Sequence, residues 1–219
     1  MLASAMRESS QPAFWDVRYG REEHLFGTAP NAFVASVADR VPRGADVVEL
    51  GAGEGRNLIF LAEARNCSGT AVDFAPTALQ HAKELATTRA VALDVIQADV
   101  RAWAPARRWD VALVTFLQLL PDERPRLYRL LKQIVRPGGW VFAEWFRPAH
   151  LAGDYARIGP SAADRMVPAG EARSAFAGWS IARCAPADVM LQEGPRLRGA
   201  AAVLRLAAQA PPPIDEADR

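Results

Sequence analysis

Between residues 46 and 146 two hydrophobic rhythms alternate along the chain. Nearly continuous apolar runs occupy 47–50, 69–74, 91–98, 109–116 and 140–146, and apolar residues recur every three or four positions over 56–65, 76–87 and 122–135. The runs are what strands buried on both faces require, and the wider spacing is that of helices with one buried face. Such alternation predicts a parallel sheet with crossover helices. Ahead of the fourth strand there is room only for a short helix, at most 102–106. Pro76 suits a first helical turn, and Arg136-Pro137-Gly138-Gly139 stops a helix and turns tightly.

Beyond 146 the pattern loosens. Residues 147–168 read as a long loop with at most one helical turn, and 169–176 as a short helix. An irregular strand over 179–184 and 188–192, the turn Glu193-Gly194-Pro195 and a last strand over 200–208 follow. The whole is an α/β chain with a doubly wound, mostly parallel seven-stranded sheet. At the other end, Phe14-Trp15-Asp16-Val17-Arg18-Tyr19-Gly20 crowds three aromatics ahead of a helix that carries Phe33, Val34, Val37 and Val41 on one face. This N-terminal part is either a helical extension covering a sheet edge or a lid laying aromatic surface over a ligand.

With half of its 219 residues hydrophobic, the chain can bury one substantial core. Lysine and arginine total 26 against 25 acidic residues, with no run of basic side chains, which argues against nucleic acid as a partner. No leader-like segment and no apolar stretch of about 18 residues occurs, so no membrane partner and a cytoplasmic location are expected. Cys67 and Cys184 are isolated thiols without metal-ligand spacing; no metal site and no disulfide scaffold are expected.

The chemistry gathers at Asp46-Val47-Val48-Glu49-Leu50-Gly51-Ala52-Gly53-Glu54-Gly55-Arg56-Asn57, a strand running through glycines into a helix. Glycines there let a ligand approach the main chain, and the helix start offers unpaired N–H groups. A dinucleotide turn would need its third glycine where Arg56 stands, and no Gly-Lys-Ser/Thr follows for a phosphate loop. In an open parallel sheet ligands sit beyond the carboxyl ends of the strands. Asp73 ends the second strand 24 residues after Glu49, close to the ~20-residue interval at which an acid accepts ribose hydroxyls. Phe74 beside it offers a ring face for a base. After the third strand, Asp99 can accept from an exocyclic amine and the Val100 N–H can donate to a ring nitrogen.

Glu49-x-Gly51-x-Gly53-x-Gly55 after a strand resembles the first motif of the class I S-adenosylmethionine-dependent methyltransferases. Phe14-Trp15-Asp16-x-Arg18-Tyr19, Gly27-Thr28-x-Pro30-Asn31, Arg136-Pro137-Gly138-Gly139 and Glu193-Gly194-x-x-x-x-Gly199-x-Ala201-Ala202-Val203 resemble the branch that includes tellurite-resistance and thiopurine methyltransferases. The resemblance implies that S-adenosylmethionine is the cofactor, with Gly51 and Gly53 against its methionine part and Glu49 near its amino group. It further implies Asp73 on the ribose, Asp99 and Val100 on the adenine, and Trp15 and Tyr19 closed over the whole. Two positions depart from the branch. Gln118 stands for the histidine of Phe-x-His-Leu-Pro after the fourth strand, and Leu197 for that of Glu-Gly-x-x-His-x-Gly. Without those imidazoles, Gln118, Arg147 and His24 are the positioning candidates; His150 is a further candidate contact, Arg157 or Arg165 further anion holders, and His81 a surface residue.

The organisation expected is a disordered stretch 1–11, a single methyltransferase domain over 12–210 and a tail over 211–219. Within the domain, 12–45 is the lid, 46–146 the Rossmann-like cofactor-binding core and 147–210 the substrate loop with the C-terminal strands. The function expected is methyl transfer to a small molecule, a soft anionic nucleophile such as a thiol, a heteroaryl thiol or a selenium or tellurium oxyanion, by a monomer or weak homodimer. The alternatives are a regulatory S-adenosylmethionine-binding protein without catalysis and a methyltransferase for a small oxygen or nitrogen nucleophile.

Overall fold

A computed structural model describes residues 9–22 and 24–213. Its strands are β1 (Asp46–Leu50), β2 (Ser68–Asp73), β3 (Leu93–Gln97), β4 (Trp109–Thr115), β5 (Val135–Phe146), β6 (Ser180–Glu193) and β7 (Leu197–Gln209), in one sheet of order β3-β2-β1-β4-β5-β7-β6. β1 to β5 pair in parallel, and β7 runs antiparallel between β5 and the edge strand β6. The helices are α1 (Pro12–Arg21), α2 (Ala32–Val37), α3 (Arg56–Arg65), α4 (Pro76–Thr88), α5 (Arg124–Ile134), α6 (Ala149–Ala152) and α7 (Ala169–Ala175). Successive side chains of a strand point to opposite faces, so Val47 packs with Phe33, Val37 and Leu58 on one side of the sheet. Val48 packs with Leu131, Ile134 and Phe176 on the other. Strand order reverses between β1 and β4, which opens a crevice at their carboxyl ends.

Several expectations are corrected. Residues 102–106 form no helix: Ala102 and Trp103 both donate to the Asp99 carbonyl, at 2.9 and 2.8 Å, and Trp103 packs on Trp109 instead. The irregular strand expected over 179–184 and 188–192 is continuous through 185–187, a 14-residue strand with a register shift between Ile181 and Arg183. Pro186 is tolerated inside it because β6 is an edge. β5 starts at Val135, which pairs with Trp109 ahead of the glycine turn.

Residues 1–8 and 214–219, expected as a disordered end and a tail, lie outside the described residues. Ser9 and Ser10, assigned from sequence to that loose end, are held. Trp15 Nε1–H donates to Ser9 O at 2.9 Å, and Arg101 and Arg165 donate to the Ser10 carbonyl and hydroxyl at 2.9 and 2.8 Å. At the other terminus, Pro211 O accepts from Gly138 N. Among the described residues no helix is long and apolar enough to cross a membrane.

Candidate active site

The crevice is a cavity of about 420 Å³ whose wall includes Gly51, Gly53, Asp73, Phe74, Asp99 and Val100. β1 delivers the glycines. Gly51 and Ala52 N–H both donate to Val72 O, which ties the turn to the end of β2. Gly53 sits at φ +53°, and an added Cβ would lie 2.7 Å from the Tyr19 hydroxyl, so the lid tyrosine rests directly on the glycine backbone. Asp73 spans this turn and the start of α4. Its Oδ2 accepts from Gly53 N–H at 2.8 Å and its Oδ1 from Ala75 N–H at 2.9 Å. Burial pushes its pKa up, against the pull of those backbone donors. A carboxylate has about four lone-pair sites, so Asp73 keeps acceptor capacity towards the cavity.

Asp99 is already engaged. Arg101 forks onto it through Nε and Nη2, at 2.9 and 2.6 Å, and holds its carboxyl below the usual range. Arg101 also reaches Glu123 at 3.0 Å, so one guanidinium joins the end of β3, the start of α5 and Ser10. The N-terminal segment docks through Trp15, Tyr19 and Phe26, whose ring centroids lie 6.2–6.3 Å apart, and through Asp16 Oδ1, which accepts Thr77 N–H of α4 at 2.9 Å. All three aromatics line the cavity. Burial, with Asp73 and Glu54 nearby, raises the Tyr19 pKa well above the ordinary phenol value.

Glu49 is buried and is not on the wall; it meets the wall through Asn57 and Thr115, which donate to its Oε1 at 2.6 and 3.0 Å. Its Oε2 is buried and has no hydrogen-bond partner among the described residues. Burial pushes the Glu49 pKa from 4.5 up to about 7. The folded chain therefore keeps a proton that the unfolded chain loses between those values, and stability falls as pH rises through that window. A displacement of this size corresponds to about 3 kcal/mol, fully felt above the window. Glu49→Gln is expected to raise thermal stability relative to the parent at pH 8 and not at pH 4. Denaturation curves at both pH values check this, and an equal difference at both would show that Glu49 does not titrate across the window.

The remaining candidates separate. Gln118 lines the cavity, carried there because Phe116 leaves β4 at φ +55°, a left-handed backbone that a bulky residue adopts only under constraint. Leu197, the other position without its histidine, lines the cavity too. Arg147 does not: it turns onto Asp188, which Tyr155 also reaches. His24 is off the wall, its backbone N–H donating to Glu54 Oε1 at 2.9 Å. His81, expected at the surface, is half-buried against the same oxygen at 3.0 Å. His150 is a buried clasp. Its Nδ1 accepts from Ala202 N–H, so Nε2 carries the proton given to Ile158 O at 2.9 Å. None of the three histidines is on the wall, whereas Arg157 is, and it pairs with no acid among the described residues.

Sequence reasoning missed the polar cluster that joins the lid to the C-terminal strands. Asn31 Nδ2 donates to Glu144 at 2.7 Å and to Glu193 at 2.9 Å; Arg205 pairs with Glu144, and Arg56 with Glu193. Arg56 also donates to Phe26 O and Ala29 O, which fixes the turn into α2. The displaced third glycine at Arg56 and the paired markers Asn31 and Glu193 were the available signals. Gly27 and Gly194 meet backbone to backbone beside this cluster; a Cβ on Gly194 would fall 2.2 Å from Gly27 N. Among the described residues no group of three or more His, Cys, Asp or Glu has a metal-binding arrangement.

Residues 47–139 match the family model described as a methyltransferase domain. No curated protein sequence matches the chain. Solved structures similar to it include TehB from Haemophilus influenzae, at 16% identity and TM-score 0.67 over 82% of this chain and 62% of that one. A protein from a study of the conversion of a disulfide bond into a thioacetal group during echinomycin biosynthesis is similar at 19% identity and TM-score 0.70, over 94% and 95% of the two chains. The N-methyltransferase NodS from Bradyrhizobium japonicum WM9 is similar at 15% identity and TM-score 0.64, over 89% and 97%. The chain thus spans less than two thirds of the TehB chain, and at these identities the likeness is one of fold. Over residues 47–139 the chain is thus similar to a methyltransferase domain, and its fold is shared with solved structures that include TehB and the N-methyltransferase NodS.

Proposed function

We propose that the protein transfers the methyl group of S-adenosylmethionine to a small, soft, anionic acceptor. The observation that carries this reading is the make-up of the cavity wall among the described residues: carboxylates at the ends of β2 and β3, aromatic faces over them, a glycine turn, Arg157 without an acid partner and no imidazole. The donor set and the volume fit an adenosyl ligand. Asp73 faces the space a ribose would take, Phe74 and Trp15 offer ring faces to a base, and the volume lies within the ~300–1,000 Å³ common for small-molecule pockets. When bound, S-adenosylmethionine supplies a methyl group on a positively charged sulfur. The chain's own part is then to orient an acceptor beside Gln118, to neutralise its charge with Arg157 and to exclude water beneath the lid.

Gln118 cannot take a proton near neutral pH. Acceptors should therefore arrive ionised, as thiols, heteroaryl thiols, and selenium or tellurium oxyanions do more readily than aliphatic alcohols. Calorimetry with S-adenosylmethionine and S-adenosylhomocysteine, followed by a methyl-transfer screen over these classes, tests the proposal. Both ligands are expected to bind, and rates to follow the ionised fraction of the acceptor. Binding without methylation of any class would favour the regulatory alternative. A rate governed by an enzyme group near pH ~6.5, abolished by replacing His24 or His150, would show that a base exists.

A further inference from the structure

Glu54 stands between Gly53 and Gly55 in the glycine turn, lines the cavity and is 4% exposed. Its two carboxyl oxygens differ in what they meet. Oε1 accepts the His24 backbone N–H at 2.9 Å and faces His81 Nδ1 of α4 at 3.0 Å. Oε2 is buried and has no hydrogen-bond partner among the described residues. A buried acceptor without a donor costs free energy, and in a residue on a cavity wall it points to a donor that a ligand brings.

The other two carboxylates of the wall already have strong donors. Asp73 accepts from Gly53 and Ala75 N–H, and Asp99 is forked by Arg101. The two guanidinium groups that follow Glu54 and Asp99 are also committed, Arg56 to Glu193 and Arg101 to Asp99 and Glu123. Glu49, the acid that the sequence resemblance puts near the amino group of the cofactor, is off the wall behind Asn57 and Thr115. Of the carboxylates in the turn and the strand that leads into it, Glu54 is therefore the one that reaches the cavity.

S-adenosylmethionine carries three kinds of hydrogen-bond donor: the ribose hydroxyls, the adenine amine and the methionine ammonium. Its sulfonium holds a positive charge but has no N–H or O–H to give, so it cannot satisfy an orphaned acceptor. With the ribose on Asp73 and the amine on Asp99, the ammonium remains, and a charged donor meeting a carboxylate makes the stronger kind of hydrogen bond. We propose that Glu54, rather than Glu49, receives the methionine ammonium through Oε2 and makes the site selective for adenosyl ligands that keep their α-amino group. The contacts to Oε1, from the N-terminal segment and from α4, fix the carboxylate while Oε2 is kept for the ligand. The inference rests on reading the cavity as the S-adenosylmethionine site.

The test is calorimetry on the full chain with three ligands: S-adenosylhomocysteine, adenosine, and the carboxypropyl thioether of adenosine, which is S-adenosylhomocysteine without its α-amino group. The parent is expected to bind S-adenosylhomocysteine about tenfold or more tightly than the amine-free thioether, the scale of a hydrogen bond to a charged group. Glu54→Gln should lower that ratio about tenfold. Loosening of the turn alone would weaken all three ligands in proportion and leave the ratio unchanged, which overturns the proposal. Equal affinity of the parent for the two thioethers overturns it without any variant. A ratio that falls in Glu49→Gln and holds in Glu54→Gln returns the ammonium to Glu49 and overturns it as well. Failure of the cofactor reading looks different: neither S-adenosylhomocysteine nor adenosine would bind the parent, and the proposal falls with that reading.

Discussion

Glu193→Ala is expected to destabilise the fold by about 3–5 kcal/mol, the cost of stranding a buried charge. Glu193 is the acceptor shared by Arg56 and Asn31, and all three are at most 7% exposed. Its loss leaves Glu144 as the only described carboxylate of the cluster, against both Arg56 and Arg205. Arg56 holds the carbonyls of Phe26 and Ala29, so the turn between the lid and α2 should loosen as well. Glu193→Gln keeps the shape and an acceptor oxygen, and should lose less. Urea unfolding of the three proteins measures this. An alanine variant within about 1 kcal/mol of the parent would mean that water solvates Arg56 and that the cluster contributes little.

Asp73→Ala is expected to weaken S-adenosylhomocysteine binding by about 1.5–3 kcal/mol, or roughly 10–150-fold, the scale of hydrogen bonds to a charged group. The effect has two parts. The carboxylate would no longer accept from a ribose, and Gly53 N–H would lose its acceptor, which frees the glycine turn. Adenosine, which carries the ribose without the amino-acid part, separates them. Loss of its affinity in step with that of S-adenosylhomocysteine assigns the effect to the ribose side. Equal affinity for both ligands in a folded variant would show that Asp73 is purely a brace for the turn.

Much of the sheet was legible because strands buried on both faces leave a continuous apolar trace. β1, β2 and β4 lie within a residue of their expected bounds, and α3 coincides with its own. Legibility fell where distant partners decide. Nothing local marks Ser9 and Ser10 as anchored; their bonds come from Trp15, Arg101 and Arg165, the last 155 residues away. The short helix expected at 102–106 lost to the docking of Trp103 against Trp109.

Within the site, the rule that ligands gather beyond strand ends brought Gly51, Gly53, Asp73, Phe74, Asp99 and Val100 to one cavity. The rule does not say where each side chain turns. Arg147, one residue past β5, is drawn to Asp188, while Arg157, ten residues on, returns to the wall. Glu49 stands behind Asn57 and Thr115 for the same reason: the sheet interior claims the inward side of β1.

The Asn31 cluster also sets an order on the making of the protein. Asn31 meets Glu144 across 113 residues of chain and Glu193 across 162. During synthesis Asn31 emerges long before the two carboxylates that hold it. A nascent chain that has reached β5 holds the glycine turn, Asp73 and the carbonyls that Arg56 binds, but Arg56 lacks its carboxylate partner Glu193 until β6 is made. A translation product interrupted before β6 should therefore hold its N-terminal segment against the sheet less firmly than the longer chain does.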